Sequence, residues 1–231
     1  MQPGIVFIPA LGCDAGLYAP IMDGISDLAK SQIIIPKQDS LPACVDQVLN
    51  EAPEKFIVIG TSFGGHVARE LALVAPKNVY GLMIMGAGAG KAVDPQAGRH
   101  RSYRLRHGEH AEVIGEMAAI ITSPASPHFR AARDQFLAMG LSSDPEIIAL
   151  QNDALIDRPD RWNELEKIHQ PALLLWGKDD RFSPASDGLR MSALMPHARF
   201  VELEDVGHLP SLEAPDETIA ALRHWLMDIL P

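Results

Sequence analysis

Ser62 occupies the centre of a Gly-x-Ser-x-Gly motif, which residues 60–64 form with the sequence Gly-Thr-Ser-Phe-Gly. An apolar run, residues 55–59, comes directly before the motif, and a helical pattern, residues 66–73, follows it. A serine at a sharp turn from a strand into a helix projects its hydroxyl from the end of the sheet, and glycines allow the close backbone approach that such a turn needs. The sequence therefore predicts that Ser62 is a nucleophile for acyl transfer.

Acidic and histidine side chains follow two later apolar runs. Asp179 and Asp180 come after residues 171–176, and His208 comes after residues 198–203. A nucleophilic serine needs a histidine to take its proton and a carboxylate to hold that histidine in the correct tautomer. Loops that follow parallel strands meet at one edge of a sheet. We therefore expect an aspartate of this pair and His208 to converge on Ser62.

These residues must be positioned by short apolar runs that alternate with helical patterns. The first five runs are nearly continuously apolar, which is typical of strands buried on both faces of a parallel sheet, and the sixth alternates as an edge strand would. The pattern predicts an α/β fold with a doubly wound, mainly parallel six-stranded sheet flanked by helices. The six predicted strands cover residues 4–9, 32–36, 55–59, 79–85, 171–176 and 198–203.

Residues 91–160 interrupt this alternation, because they contain several helix starts and no strand pattern. Ser126-Pro127 and Asp144-Pro145 each supply an N-cap residue and a first-turn proline. An insertion of this length between two strands predicts a helical cap over the strand ends. The expected organisation is a core of residues 1–90 and 161–231 with a cap, or lid, of residues 91–160. Further helices are predicted over 42–50, 62–75, 187–195 and the C-terminal segment.

The composition of the 231 residues, 47% hydrophobic and 22% charged, is that of a folded globular protein. A net charge of −10 argues against nucleic acid or an anionic membrane as the main partner. No apolar run reaches the length of a membrane span, and no leader is expected at the N-terminus. The two cysteines, Cys13 and Cys44, have neither metal-binding nor disulfide-framework spacing, so we expect reduced thiols in a cytoplasmic protein.

On these motifs the chain resembles the α/β-hydrolase superfamily over essentially its whole length. The resemblance selects Asp180 rather than Asp179, because the acid of the family usually lies three residues after a glycine, here Gly177, and four before a proline, here Pro184. Asp94 is a remote alternative, since some members carry the acid one strand earlier. The implied triad is Ser62, His208 and Asp180, and the implied chemistry requires no cofactor and no metal.

The resemblance also implies an oxyanion hole made of two backbone N–H groups. One would come from Phe63, next to the nucleophile, and the other from Leu11, in the loop after the first strand. This chain departs from the common pattern there, because residues 9–10 are Pro-Ala rather than His-Gly. It also starts at the first parallel strand, without the N-terminal hairpin of the family.

The predicted cap carries an unusual cationic run, with four arginines and three histidines between residues 99 and 110 and no acid before Glu109. One hypothesis is that Arg101 and Arg104 bind an anionic acyl or leaving group. The alternative, which the sequence favours, is a solvated helix face neutralised by glutamates at 109, 112 and 116. Among other candidates, His66 and Cys13 are expected to be packed residues rather than reactive ones.

The leading functional prediction is a serine hydrolase that cleaves a small-molecule carboxylic ester or thioester through an acyl-enzyme on Ser62. Residues 176–184 also resemble the acid loop of enzymes that cleave a carbon–carbon bond in ring-fission products, so a carbon–carbon hydrolase or lyase is the second hypothesis. The third is a ligand-binding, receptor-like protein that keeps the fold with negligible turnover.

Overall fold

A computed structural model describes residues 3–230, and it contains a six-stranded sheet in which every neighbouring pair of strands is parallel. The strand order is β2-β1-β3-β4-β5-β6, with helices between successive strands. This arrangement confirms the predicted fold class. The strands are β1 (Gly4–Ile8), β2 (Ser31–Ile33), β3 (Phe56–Thr61), β4 (Val79–Met85), β5 (Ala172–Gly177) and β6 (Ala198–Leu203).

Burial of the strands explains their sequence patterns. All residues of β3 and β5 are buried, since both strands lie inside the sheet and helices cover its two faces. Strand β6 lies at the edge and is only partly buried, as its alternating pattern predicts. Strand β2 ends at Ile33, earlier than predicted, and the pairing with β1 stops with the Ile34 N–H, which donates to the Phe7 carbonyl. Beyond it Pro36 has no N–H to donate, and the Ile35 carbonyl accepts a hydrogen bond from Gln47.

The helices of the core connect the strands or follow the last one. The helix after the Ser62 motif is the most deeply buried, with residues 63–72 all buried, and it packs on β1, β3 and β4. These helices are α1 (Ala19–Gly24), α2 (Leu41–Glu51), α3 (Phe63–Val74), α8 (Ala185–Leu194), α9 (Pro210–Glu213) and α10 (Pro215–Ile229), and a 3-10 turn covers Ala15–Leu17.

Between β4 and β5 the chain forms helices and no strand. Helix α6 begins two residues later than its Ser-Pro pair suggests, because the Ser126 hydroxyl accepts a hydrogen bond from the His128 N–H in a turn before the helix. Helix α7 begins as its sequence predicts, since the Asp144 side chain accepts from the Glu146 N–H. The elements are α4 (Pro95–Arg106), α5 (His110–Ala118), α6 (Phe129–Ser142), α7 (Pro145–Ile156) and a 3-10 helix (Trp162–Lys167).

Candidate active site

Ser62 lies at the turn between β3 and α3 in a strained backbone conformation, with φ 54° and ψ −115°. The turn is tight enough to require its glycines. A Cβ atom on Gly60 would lie 2.1 Å from the Gly64 carbonyl oxygen, and one on Gly64 would lie 1.9 Å from the Ile8 carbonyl oxygen. A non-glycine residue with positive φ persists only where the surrounding structure holds it, and such strain is common at functional sites.

His208 and Asp180 form a buried pair on the loops after β6 and β5. The His208 Nδ1 atom lies 2.7 Å from Asp180 Oδ2, and Asp180 Oδ1 accepts hydrogen bonds from the N–H groups of Phe182 and Ser183 at 2.8 and 2.9 Å. The carboxylate is therefore fixed by its own loop. Because this carboxylate accepts the Nδ1 proton, the neutral imidazole has its Nε2 lone pair available to take a proton.

The two alternative acids lie elsewhere. Asp179 is exposed, and its Oδ2 atom accepts a hydrogen bond from the Ser123 hydroxyl at 2.6 Å. Asp94 caps the N-terminus of α4 by accepting from the Ala97 N–H at 2.9 Å. Of these aspartates, the structure brings Asp180 to the imidazole of His208.

Ser62 and His208 line the same cavity, which has a volume of about 400 Å³. Within residues 3–230 no hydrogen bond joins the Ser62 hydroxyl to the imidazole, a contact that commonly tightens only when substrate is bound. Leu11 also lines this cavity. The backbone N–H groups of Leu11 and Phe63 have no hydrogen-bond acceptor within the described part of the chain.

Glu213 is a buried acid that sequence reasoning missed. Its carboxylate accepts three backbone hydrogen bonds, from Gly207 and Leu209 at 2.9 Å each and from Ser123 at 2.6 Å. Gly207 and Leu209 flank His208, so one carboxylate holds both sides of the histidine loop. Burial raises the pKa of Glu213, and these hydrogen bonds oppose the rise. The sequence signal was an acid within an otherwise mostly apolar run after the histidine.

His66 reaches the cavity from the first turns of α3, although it is almost fully buried. An Arg69 guanidinium nitrogen donates to His66 Nδ1 at 2.9 Å. Because arginine only donates, the proton of the neutral ring must reside on Nε2. Burial, followed by the nearby charge of Arg69, holds the pKa of His66 well below its ordinary value. His66 is thus a neutral side chain with a fixed tautomer.

The arginines of the cationic run have different surroundings. Arg104 forms ion pairs with Glu109 and Glu116 at 2.6 and 2.7 Å, and it does not line the Ser62 cavity. Arg101 does line the cavity, and its guanidinium donates to the Asn152 side-chain oxygen at 2.9 Å. The structure therefore separates the two arginines that the sequence grouped together.

The two cysteines are the remaining candidate groups from the sequence. Cys13 and Cys44 are buried free thiols. Residues 3–230 contain no group of three or more His, Cys, Asp or Glu side chains that could hold a metal ion. No helix in this described range is both long enough and apolar enough to cross a membrane.

Comparisons with known proteins match the chain to one family and to several enzymes. A model of the alpha/beta hydrolase family matches residues 5–221. The pimeloyl-(acyl-carrier protein) methyl ester esterase of Shewanella woodyi is 24% identical over an alignment of 244 positions, which covers 96% of this chain and 93% of that protein. A 2-hydroxy-6-oxononadienedioate/2-hydroxy-6-oxononatrienedioate hydrolase of Cupriavidus pinatubonensis is 31% identical over 165 residues, which cover 67% of this chain and 56% of that protein.

Solved structures share the fold. A thermophilic esterase from Thermogutta terrifontis superposes with a TM-score of 0.89 at 23% identity, and the match covers 99% of this chain and 92% of that one. An enol-lactonase from Burkholderia xenovorans superposes with a TM-score of 0.86 at 19% identity, over 98% of this chain and 92% of that one.

Proposed function

The chain belongs to the alpha/beta hydrolase family, and from this membership we propose that it is a serine hydrolase that cleaves a carboxylic ester or thioester through an acyl-enzyme on Ser62. One observation carries the proposal. Ser62, held at a strained turn, lines the same cavity as His208, whose Nδ1 atom lies 2.7 Å from the buried Asp180 carboxylate. The name of the Shewanella relative, a methyl ester esterase, supports the same class of reaction.

In the proposed reaction the Ser62 hydroxyl attacks the substrate carbonyl while His208 Nε2 takes its proton. Asp180 stabilises the imidazolium that forms, since it already accepts the Nδ1 proton. The N–H groups of Leu11 and Phe63 donate to the oxyanion of the tetrahedral intermediate. Collapse of this intermediate transfers the histidine proton to the departing alcohol or thiol. Water then attacks the acyl-enzyme with the same histidine as base and releases the acid.

We also propose that residues 91–160 act as the cap of this site and determine its substrate. Support comes from Met117 and Ile121 in the segment, which line the cavity together with Ser62 and His208 of the core. The two free, buried thiols support a cytoplasmic location for the activity.

Hydrolysis of p-nitrophenyl esters across acyl lengths tests the proposal, with Ser62→Ala beside the wild type. Removal of a triad serine typically costs about 10⁶-fold in kcat, so the variant should show no measurable turnover. Ser192→Ala is a matched control, because this hydroxyl lies at the surface and donates only to the Leu189 carbonyl. Turnover that survives in Ser62→Ala would refute Ser62 as the nucleophile.

A second candidate is hydrolysis of a carbon–carbon bond by the same triad. It is favoured by the Cupriavidus relative, whose named substrate is a keto-diacid without an ester bond. A fluorophosphonate reagent separates the candidates. Labelling of Ser62 without ester turnover would favour carbon–carbon cleavage, whereas a folded protein that is not labelled would favour ligand binding without catalysis.

A further inference from the structure

The cavity at Ser62 has a charge opposite to that of the protein as a whole. Four cationic side chains line it, and Asp187 is the one carboxylate among its lining residues. The whole chain carries a net charge of −10. The cationic side chains are Lys91, Arg101, Arg158 and Arg190. A local reversal of charge inside a concave site concentrates ligands of the opposite sign, here anions.

Two of these cations are already accounted for by their surroundings. The Arg190 guanidinium stacks over the Trp162 ring at 3.9 Å and interacts with Asp187. Lys91 is exposed, so water solvates its charge. Arg101 and Arg158 differ from both, because each is partly buried.

Arg101 and Arg158 form no ion pair within the described residues. Arg101 donates to the neutral amide oxygen of Asn152 at 2.9 Å, and Arg158 donates to the carbonyl oxygens of Gly90 and Leu155 at 3.0 Å each. Burial lowers the pKa of both guanidinium groups, yet arginine remains protonated at neutral pH. Each is therefore a partly desolvated positive charge whose hydrogen-bond acceptors are neutral, and Glu116 attracts Arg101 only from beyond ion-pair distance.

Neighbouring arginines of the same region show the usual solution for such a charge. Arg99, Arg104, Arg106 and Arg161 all pair with Asp or Glu side chains. Buried charges without a counter-charge are costly, and proteins normally pair them. Arg101 and Arg158, by contrast, line the Ser62 cavity without an ion pair, and both also line an adjoining pocket of about 250 Å³. Both guanidinium groups thus line the space that a ligand would occupy, and no carboxylate of the described residues forms an ion pair with them.

The other walls of the cavity suit a carbon chain. Apolar or aromatic side chains line it beside the two arginines, namely Val93, Met117, Ile121, Leu155, Trp162 and Phe182. A volume of about 400 Å³ falls in the range of small-molecule sites. An acyl chain fits this surface, and a carboxylate on that chain would neutralise the guanidinium groups.

We propose that Arg101 and Arg158 bind a carboxylate on the acyl part of the substrate, so that the enzyme acts on half-esters or half-thioesters of dicarboxylic acids. The proposal rests on the hydrolase function proposed above and specifies its substrate class. Planar guanidinium groups match carboxylate geometry and can donate two parallel hydrogen bonds. A phosphate on the leaving group presents similar chemistry, and the experiment separates these two sources.

Steady-state kinetics on matched esters provides the test. The p-nitrophenyl half-esters of glutarate and adipate are compared with neutral p-nitrophenyl esters of the same acyl length, in wild type, Arg101→Gln and Arg158→Gln. We expect wild type to prefer the half-esters in kcat/KM. Each variant should reduce that preference about 10- to 100-fold, the usual effect of losing a hydrogen bond to a charged group. Arg99→Gln is the matched control, since it removes the same charge from an exposed pair on the same helix.

A binding experiment keeps this proposal separate from the proposed reaction. Thermal shift of the Ser62→Ala protein with glutarate, adipate or inorganic phosphate measures the subsite without any turnover. Stabilisation by the dicarboxylates that Arg101→Gln and Arg158→Gln abolish supports the subsite, even if no ester is hydrolysed and the proposed reaction fails.

Three results would overturn the proposal. The first is a wild-type enzyme that prefers neutral esters. The second is that Arg101→Gln and Arg158→Gln lower kcat/KM equally for the half-esters and for the neutral esters. The third is stabilisation by phosphate but not by dicarboxylates, which would assign the charge to a phosphate on the leaving group.

Discussion

Gly86, directly after β4, determines whether the histidine and aspartate can pair, and its replacement by alanine tests that geometry. Its φ is +60°, and a Cβ atom there would lie 2.9 Å from His208 Cε1 and Nδ1 and 3.0 Å from Asp180 Oδ2. Ordinary contacts of a Cβ atom begin at 3.4 Å, so the imidazole must move by the difference, about 0.5 Å. Gly86→Ala therefore displaces the pair without altering any of its reactive groups.

The expected size of the effect follows from two costs. An L-residue at positive φ loses about 1–2 kcal/mol, which for a domain of this size lowers Tm by about 2–8 °C. A misplacement of about 1 Å in a catalytic geometry costs about 100-fold in rate. A shift of half that size in the imidazole should lower kcat about tenfold. The loss in kcat should thus exceed what the loss in stability alone would give.

Gly108→Ala is the matched control, because Gly108 has φ +92° and a Cβ atom there would meet nothing within 4 Å. It carries the backbone strain without the clash. Tm by differential scanning calorimetry and kcat on a p-nitrophenyl ester are measured for both variants at a temperature where both are folded. Both should lose stability, and Gly86→Ala alone should lose kcat. Wild-type kcat in Gly86→Ala, or an equal loss in Gly108→Ala, would refute the reasoning.

Three further predictions concern groups near the site and in the core. Glu213→Gln places an amide N–H₂ against buried N–H donors, so the free energy of unfolding in urea should fall by about 1–3 kcal/mol, with kcat falling as well; unchanged values would contradict the positioning role. Asp180→Asn should lower kcat about 10⁴-fold, whereas Asp179→Asn should leave it near wild type, and the reverse order would make Asp179 the orienting acid. Burial raises the pKa of Cys44 from 9.0 to about 12 and also raises that of Cys13. The folded state therefore binds more protons than the unfolded state above pH 9, so stability should decrease as pH rises from about 9 to 12. Urea titrations of wild type and Cys44→Ala at pH 8 and about pH 10 measure this slope, which should be shallower in the variant.

The fold was predictable because its determinants are local in sequence. Each strand of a parallel sheet buried on both faces is a short, nearly continuous apolar run, and this pattern identified the first five strands, while alternation identified the sixth at the edge. The errors lie at element ends, where single side chains decide. Pro36 follows the point where β2 stops, and the Ser126 hydroxyl forms a turn before α6 begins. Neither detail changes the order of the strands.

The candidate site was predictable only where its chemistry depends on position along the chain. Ser62, Asp180 and His208 each follow a strand, so the parallel sheet alone brings their loops to one edge. The contacts of Arg158 and Glu213 depend on tertiary packing instead. Arg158 reaches a carbonyl 68 residues away, and Glu213 accepts from an N–H 90 residues away. No local pattern marks such partners.

The same limit explains why the cationic run was misleading as a unit. Helical spacing makes Arg101 and Arg104 neighbours on α4, but ion pairing depends on which acids other helices present. Glu109 and Glu116 neutralise Arg104, whereas Arg101 meets the amide of Asn152 and the cavity. Identical residue types three positions apart thus have different electrostatic environments.

The segment between α5 and α6 holds the histidine loop in place. The His208 N–H donates to the Ile121 carbonyl at 2.9 Å, the Ser123 N–H donates to Glu213, and the Ser126 hydroxyl donates to the Glu213 carbonyl. Separating this segment from the loop would break all three and leave a buried carboxylate with fewer donors, which costs several kcal/mol. These contacts tie the segment between α5 and α6 to the loop that carries His208.

Another part of the cavity border is exposed to solvent. Val93 lines the cavity and is fully exposed, and Lys91, two residues earlier, also lines it and is exposed. Both precede α4 in a connection without helix or strand. An anionic substrate that approaches a protein of net charge −10 meets a favourable potential at this cationic border, and Arg101 and Arg158 extend that potential inward. The kcat/KM of half-esters should consequently fall with ionic strength more steeply than that of neutral esters.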